Sequence, residues 1–312
     1  MNETMRAYIE KSKITGWGQF QSVSEGATSP DVVIVGVPFD GGAGTRKGAS
    51  QGPDNIRLSS DRMKTIDQYG YDFSHLRVRD LGDISTFRYD LGATIERISD
   101  VYNELFADIQ CPILSLGGDH SITYPIVRAA NAHHRIGLLW FDAHPDVLDL
   151  YHGSRFSHGS PLRRILDSGG VLPNDVLLIG TRAYDPGEPA FIAQEHIQEI
   201  KAVSFHEDPC GSMKDFRRNV SEIRKRVDRF YVSIDIDVLD DCFVPGAGTP
   251  VSGGISTSLL FQLLSDIPDC GIGYDVVEFA QSSGLDDITG RSVNAILAQL
   301  LSRIASGRIP RD

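Results

Sequence analysis

Short apolar runs alternate with amphipathic stretches along most of the chain. The runs at 31–38 (DVVIVGVP), 76–82, 111–118 (CPILSLGG), 135–142 (RIGLLWFD), 175–182, 200–206, 229–237 (RFYVSIDID) and 271–279 (GIGYDVVEF) read as strands. Several are apolar almost throughout, as strands covered on both faces are. Helical periodicity fills the intervals at 91–109, 212–227 and 291–306; in the last, Val293, Ile296, Leu297, Leu300, Leu301 and Ile304 form one stripe. The pattern predicts a three-layer α/β/α fold with about eight mainly parallel strands. No linker divides the chain, so one catalytic domain is expected over 1–312, with any extended segment in residues 1–25.

In such sheets ligands bind beyond the carboxyl ends of the strands. Polar clusters fall at those ends: Asp119-His120, then Asp142 to Asp149, then Asp235 and Asp237, then Glu278. If the backbone stays extended, Asp142, His144 and Asp146 share one face at roughly 7 Å intervals, and Asp235 and Asp237 do the same. With His120 these make six ligand-type groups that would repel and desolvate one another without a cation. Carboxylates mixed with imidazoles suit Mn²⁺, Fe²⁺, Ni²⁺ or Zn²⁺ and fit an all-oxygen Ca²⁺ site poorly. Six ligands are too many for one catalytic ion but enough for two joined by bridging carboxylates, a pair able to activate water at neutral pH. On residues alone the reading stops at a dinuclear hydrolase. Phosphoesterase, amidohydrolase and aminopeptidase chemistry all stay open.

Each motif also has a plainer reading. A single D-x-H or D-x-D at a strand end is more often a cap or a turn than a ligand set, and His120 alone would be a helix-start residue. The three clusters together reverse that weighting. The formal charge of −12 argues against nucleic acid or an anionic membrane as partner. Cys111, Cys210, Cys242 and Cys270 are scattered and fit reduced thiols, and no run approaches a membrane span, so a soluble cytoplasmic protein is expected.

Three motifs in order, GGDHSITYP (117–125), FDAHPDVLD (141–149) and SIDIDVLDDCFVPGAGTPVSGG (233–254), resemble the signatures of the ureohydrolase family of arginases and agmatinases, supported by GVPFDGGAGTRKGASQGPDNIR (36–57). The resemblance implies the arginase-like fold, two Mn²⁺ per chain (Ni²⁺, Fe²⁺, Co²⁺ or Zn²⁺ as substitutes), a cationic guanidino substrate split into urea and an amine, and a homo-oligomer, trimer or hexamer. By motif position His120 resembles a ligand of the first metal, His144 and Asp237 ligands of the second, and Asp142 and Asp235 bridges. Asp146 resembles the carboxylate that also holds the attacking water. His158 resembles the proton shuttle to the leaving amine, Glu278 the partner of the guanidinium, and Thr249 a residue lining the same pocket.

For the substrate's far end the motifs divide. GVPFD, GGDHSITYP and GTPVSGG are agmatinase-like, and Leu148 stands where animal-type arginases carry an Asn that binds the amino-acid head. Asp185 resembles the arginase aspartate that reads an α-amino group, and Arg155 is a candidate partner for a carboxylated tail. An agmatine-like substrate is expected first, and arginine, guanidinobutyrate or guanidinopropionate next. A metal-retaining non-catalytic subunit of a hetero-oligomer ranks lower.

Overall fold

The computed structural model describes residues 7–12, 16–18, 20–22, 29–44, 46–280 and 288–307. Its centre is a 10-stranded sheet. In chain order the strands are β1 (Ile9–Glu10), β2 (Gln21–Ser22), β3 (Val32–Gly36), β4 (Arg77–Ile84), β5 (Ile113–Leu116), β6 (Ile136–Phe141), β7 (Val176–Ile179), β8 (Gln198–Ile200), β9 (Arg229–Asp235) and β10 (Gly271–Val277). Across the sheet they run β1-β4-β3-β5-β10-β9-β6-β7-β8, with β2 also on β4. Only β1 is antiparallel to its neighbour.

Alternation of side chains along each strand divides the core into two layers. On β3, Val32 and Ile34 face one way and Val33 and Val35 the other. On β6, Leu139 and Phe141 face the first layer, while Leu138 and Trp140 face the second. Helices Pro209–Arg224, Thr257–Ser265 and Ile288–Ser306 cover the first face, and helices Leu91–Asp108, Thr123–His133 and Pro161–Asp167 cover the second. Both faces are buried, which accounts for the near-continuous apolar runs.

The strand order bears directly on function. β5, β10, β9 and β6 are consecutive at the middle of the sheet, and they are the four strands whose ends carry His120, Glu278, Asp235 and Asp142. Residues far apart in the chain therefore meet on one rim.

Two expectations change. The run at 200–206 is not a strand: β8 stops at Ile200 and residues Ala202–Glu207 form a helix. Buried Ala202 and Phe205 flank a Val203 that is 50% exposed, an i, i+3 pattern that suits a helix turn. The two strands beyond the expected eight, β1 and β2, lie in the 1–25 segment, of which residues 1–6, 13–15, 19 and 23–25 lie outside the described residues.

Candidate metal centre

The expected extended array does not form. β6 ends at Phe141, and Asp146 takes a left-handed backbone with φ 55°. Asp235 closes β9, and residues Ile236–Val238 tighten into a 3₁₀ turn. The ligand-type groups converge because these turns fold back over the rim, each capped by a carboxylate that belongs to it. Asp142 Oδ1 accepts from the His144 amide at 2.7 Å, Asp235 Oδ1 from the Asp237 amide at 2.9 Å, and Asp237 Oδ1 from the Ala143 amide at 3.1 Å. One oxygen of Asp235 and of Asp237 thus shapes a turn and the other is left for the cluster, whereas Asp142 Oδ2 also accepts from Trp140 Nε1 at 3.1 Å.

Two overlapping sets result, His120 with Asp142 and Asp235, and Asp142 with His144 and Asp237, each with its donor atoms within 4.8 Å of one another. Asp142 is common to both. His120 Nδ1 lies 3.0 Å from Asp142 Oδ2, 3.1 Å from Asp146 Oδ2 and 3.4 Å from Asp235 Oδ2. Although fully buried, that nitrogen has no hydrogen bond of acceptable geometry among the described residues. His144 Nδ1 lies 3.2 Å from Asp237 Oδ2 and 3.4 Å from Asp142 Oδ1. A buried nitrogen facing three carboxylate oxygens without hydrogen-bond geometry is a set of donors turned toward a shared centre. The residues present fit a pair of divalent ions held by oxygen and imidazole nitrogen.

The tautomer of His120 follows from its surroundings. Ser233 Oγ donates to Asp275 Oδ1 at 2.7 Å, and Asp275 Oδ2 accepts from Thr123 Oγ1 and Tyr231 OH, both at 2.8 Å. With its one proton committed, Ser233 accepts from His120 Nε2 at 2.9 Å, which leaves the lone pair on Nδ1. The imidazole is clamped flat on the Trp140 ring, 4.2 Å between centroids at 8°.

Electrostatics carry the same imprint. Burial raises Asp146 to about 6, with the Asp142 charge adding to it. Burial and the charges of Asp237 and Asp142 push Asp235 well above the carboxylate range. For His144, burial lowers the imidazole, but Asp237 and Asp142 more than reverse this and raise it far above the ordinary value. Such opposed shifts mark a carboxylate-rich centre that calls for added positive charge.

Beside this centre opens a cleft of about 120 Å³, lined by His120, His144, Asp146, Leu148, Tyr151, His158, Gly159, Asp185, Glu188, Asp235, Asp237, Thr249 and Glu278. Glu278 follows β10 with φ 65°, a strained conformation for a side-chain-bearing residue and one that recurs at functional sites. Its Oε1 accepts from the His120 amide at 2.9 Å and meets His158 Nδ1 at 3.1 Å, whereas Oε2 is buried with no partner among the described residues. The Gly44 amide donates to His158 Nε2 at 3.0 Å, so Nδ1 carries the proton and donates it to Glu278. Burial lowers His158, but the Glu278 hydrogen bond and the charges of Glu278, Asp119 and Asp146 reverse that and raise it to about 9.

Of the residues singled out from sequence, His120, Asp142, His144, Asp146, Asp235 and Asp237 meet at the centre, and His158, Glu278, Thr249 and Asp185 line the cleft. Arg155 does not. Its side chain is 57% exposed and pairs with Asp149 at 3.2 Å and Asp167 at 3.4 Å, outside the lining. Tyr151 and Glu188 line the cleft unanticipated. Glu188 accepts from the Val147 and Asp185 amides at 3.0 and 2.9 Å and, through burial, is raised to about 7. The only hint of it in the sequence is an acid directly after Pro-Gly at a helix start.

The chain is similar to known proteins over most of its length. The chain is 34% identical to guanidinopropionase of Pseudomonas aeruginosa over 88% of this chain and 86% of the relative. It is also 34% identical to mitochondrial agmatinase of Gallus gallus over 86% and 79%. The solved proclavaminate amidinohydrolase of Streptomyces clavuligerus superposes with a TM-score of 0.82 at 29% identity, covering 95% of this chain and 99% of that one. Among the described residues no helix is long and apolar enough to cross a membrane. The profile of the Arginase family matches residues 30–302, nearly the whole of the sheet and every group placed at the rim, and the chain belongs to that family.

Proposed function

We propose that this chain hydrolyses a linear guanidino compound whose far end is cationic, an agmatine-like substrate, in preference to a guanidino acid. Family membership makes it a hydrolase of C–N bonds in linear amidines, releasing urea and an amine. The far end of the substrate is the open choice. The observation that carries the proposal is the charge of the cleft: among the described residues no lysine or arginine lines it, while Glu278, Asp185 and Glu188 all do. A carboxylate about 4 Å from Asp185 would be repelled by ~1 kcal/mol in water and ~4 kcal/mol in partly buried surroundings. An ammonium there is attracted by as much.

In this reading His120, Asp142, Asp146 and Asp235 would hold one ion and Asp142, His144 and Asp237 the other; the donors suit Mn²⁺, Fe²⁺, Ni²⁺ or Zn²⁺ alike, and manganese is the ion that the resemblance to ureohydrolases implies. When bound, the ions supply an activated water. Glu278 Oε2 would receive the planar guanidinium and fix the position of its carbon. The water's oxygen bonds to the guanidinium carbon, the bond from that carbon to the alkyl-bearing nitrogen breaks, and the water's two protons end on the departing ammonium. The departing nitrogen takes a proton, which His158 delivers from the position Glu278 gives it. Leu148, in the lining, gives a substrate α-carboxylate no hydrogen bond, which disfavours arginine.

Guanidino-acid hydrolysis is the second reading, and what favours it is the name of the Pseudomonas relative. Initial rates of urea release, compared as kcat/KM for agmatine, arginine, 4-guanidinobutyrate and 3-guanidinopropionate, separate the two. Agmatine should lead by about tenfold or more, and Asp185→Asn should narrow the gap. A lead for either guanidino acid sinks the proposal.

A further inference from the structure

Arg182 stands just beyond β7, between Thr181 and the Asp185 turn, and is not among the residues lining the cleft. Its guanidinium donates to six backbone carbonyls: Nη2 to Asp237 O and Val251 O, both at 2.6 Å, and to Leu239 O at 3.1 Å; Nη1 to Gly180 O at 3.1 Å and Val238 O at 3.4 Å; and Nε to Ser252 O at 3.3 Å. Its own amide and that of Ala183 donate to Ala143 O at 2.8 and 3.0 Å. One residue therefore ties three loops together. These are the turn after β6 that bears Asp142 and His144, the turn after β9 that bears Asp237, and the 249–252 loop that leads from Thr249.

Every hydrogen-bond acceptor this guanidinium meets among the described residues is a carbonyl, although the charges of Asp237, Asp142, Asp240 and Asp235 all act on it. An arginine paired directly with those carboxylates would occupy the place of a metal. An arginine that takes the carbonyls behind them turns the peptide planes outward and leaves the carboxylates pointing in. It also keeps a fixed positive charge beside a cluster whose acids repel one another. Gly180, with φ 95°, allows the close fit: a Cβ there would come within 2.5 Å of Val238 Cγ2.

We propose that Arg182 is a positioning residue that presets the second ligand set, Asp142, His144 and Asp237, before any metal arrives. The proposal rests on the dinuclear reading above. Its contacts reach the His144 and Asp237 turns but not His120 or the 117–120 segment, so the two sites should depend on it unequally.

The test is a Mn²⁺ titration against a competing chelator on wild type, Arg182→Lys and Arg182→Ala, with metal content counted after dialysis and secondary structure checked by circular dichroism. Lysine keeps the charge but cannot span six carbonyls. Wild type should bind two ions. Arg182→Lys should keep one near wild-type affinity and lose about tenfold or more at the other, the scale expected of residues that orient ligands. In an Arg182→Lys/His144→Asn double variant the losses at that site should be less than additive. Two wild-type affinities in Arg182→Lys, or equal losses at both sites, overturn the proposal. Fewer than two ions on wild type would instead bring down the dinuclear reading.

Hydrogen exchange on the metal-free wild type decides the matter even if both variants fail to fold. The amides of Ala143, Arg182 and Ile255 should be protected without metal, because their acceptors are Asp237 Oδ1, Ala143 O and Val238 O in the preset loops. Exchange at open-loop rates would show that nothing is preset, and Arg182 would then have no such role.

Discussion

Two clusters of buried charge lie at the sheet, and they are built on opposite principles. Near β4, Arg57 is fully buried and donates to Asp80 at 2.8 and 3.0 Å, to Asp83 at 2.7 Å and to Gly82 O at 3.2 Å. Asp80 also accepts from Trp17 Nε1 and the Gly82 amide. The chain itself supplies every partner this cluster needs. At the central rim, Asp142, Asp146, Asp235 and Asp237 surround two imidazoles, and buried atoms of His120 and Glu278 lack partners among the described residues. Burial of charge is common to both. What separates a structural cluster from a site is whether the protein completes it.

The sharpest way to break that contrast is to substitute one acid in each cluster's logic. Asp235→Asn should abolish more than 99% of activity, as about a thousandfold loss or more follows when metal chemistry fails, while the metal-free protein melts at the same temperature or higher. The sign follows from Asp235, whose pKa is raised in the folded state: its ionised form opposes folding at neutral pH, and an amide removes that penalty. Arg57→Ala should do the reverse. It strands two carboxylates with side-chain exposures of 22% and 18% and should cost about 3–5 kcal/mol of stability, with the metal content of the folded fraction unchanged. Calorimetry and metal analysis on both variants check this. A destabilised Asp235→Asn beside a stable Arg57→Ala would invert the distinction.

A second, smaller effect is expected at the junction between metal centre and cleft. His158→Asn should lower kcat by about a hundredfold, the low end for loss of a positioned general acid, and leave both ions bound. The wild-type profile of kcat/KM against pH should fall on its alkaline side, because the imidazolium that gives up the proton disappears as pH rises through a pKa raised toward 9 by Glu278. The Gly44 amide donates to Nε2 only while that nitrogen keeps its lone pair, which favours the neutral ring, so the limb should lie no higher than about pH 9. Loss of metal from His158→Asn, or an unchanged alkaline limb in that variant, would make the residue a ligand or a bystander.

Much of this was legible in the sequence for a physical reason. Charged residues closing apolar strands stand out against their surroundings, and parallel α/β topology gathers strand ends on one rim, so His120, Asp142, Asp235 and Glu278 could be placed together before any coordinates. The details that failed depend on backbone turns or on contacts remote in the chain. Asp146 arrives through a left-handed residue rather than an extended face. Glu188 enters the cleft only because the Val147 and Asp185 amides hold it there. The helix at Ala202–Glu207 was hidden because an apolar run this short fits either period.

Arg155 is the instructive failure, and it yields the smallest expected effect. It lies three residues before His158 in one loop, and proximity in sequence made it a plausible reader of a carboxylated tail. In the fold His158 turns inward to Glu278, while Arg155 turns outward to Asp149 and Asp167. Both acids keep another partner without it, since Arg164 reaches Asp149 at 2.7 Å and Asp167 at 3.0 Å. Exposed pairs of this kind contribute about 0–1 kcal/mol. Arg155→Ala should therefore melt within a degree or two of wild type and change kcat/KM by less than about twofold for agmatine, arginine and 4-guanidinobutyrate alike. A selective collapse for 4-guanidinobutyrate would mean that Arg155 leaves its surface partners to enter the cleft. In that event a group already satisfied elsewhere takes part in function, and completeness of partners would no longer tell a structural charge from a working one.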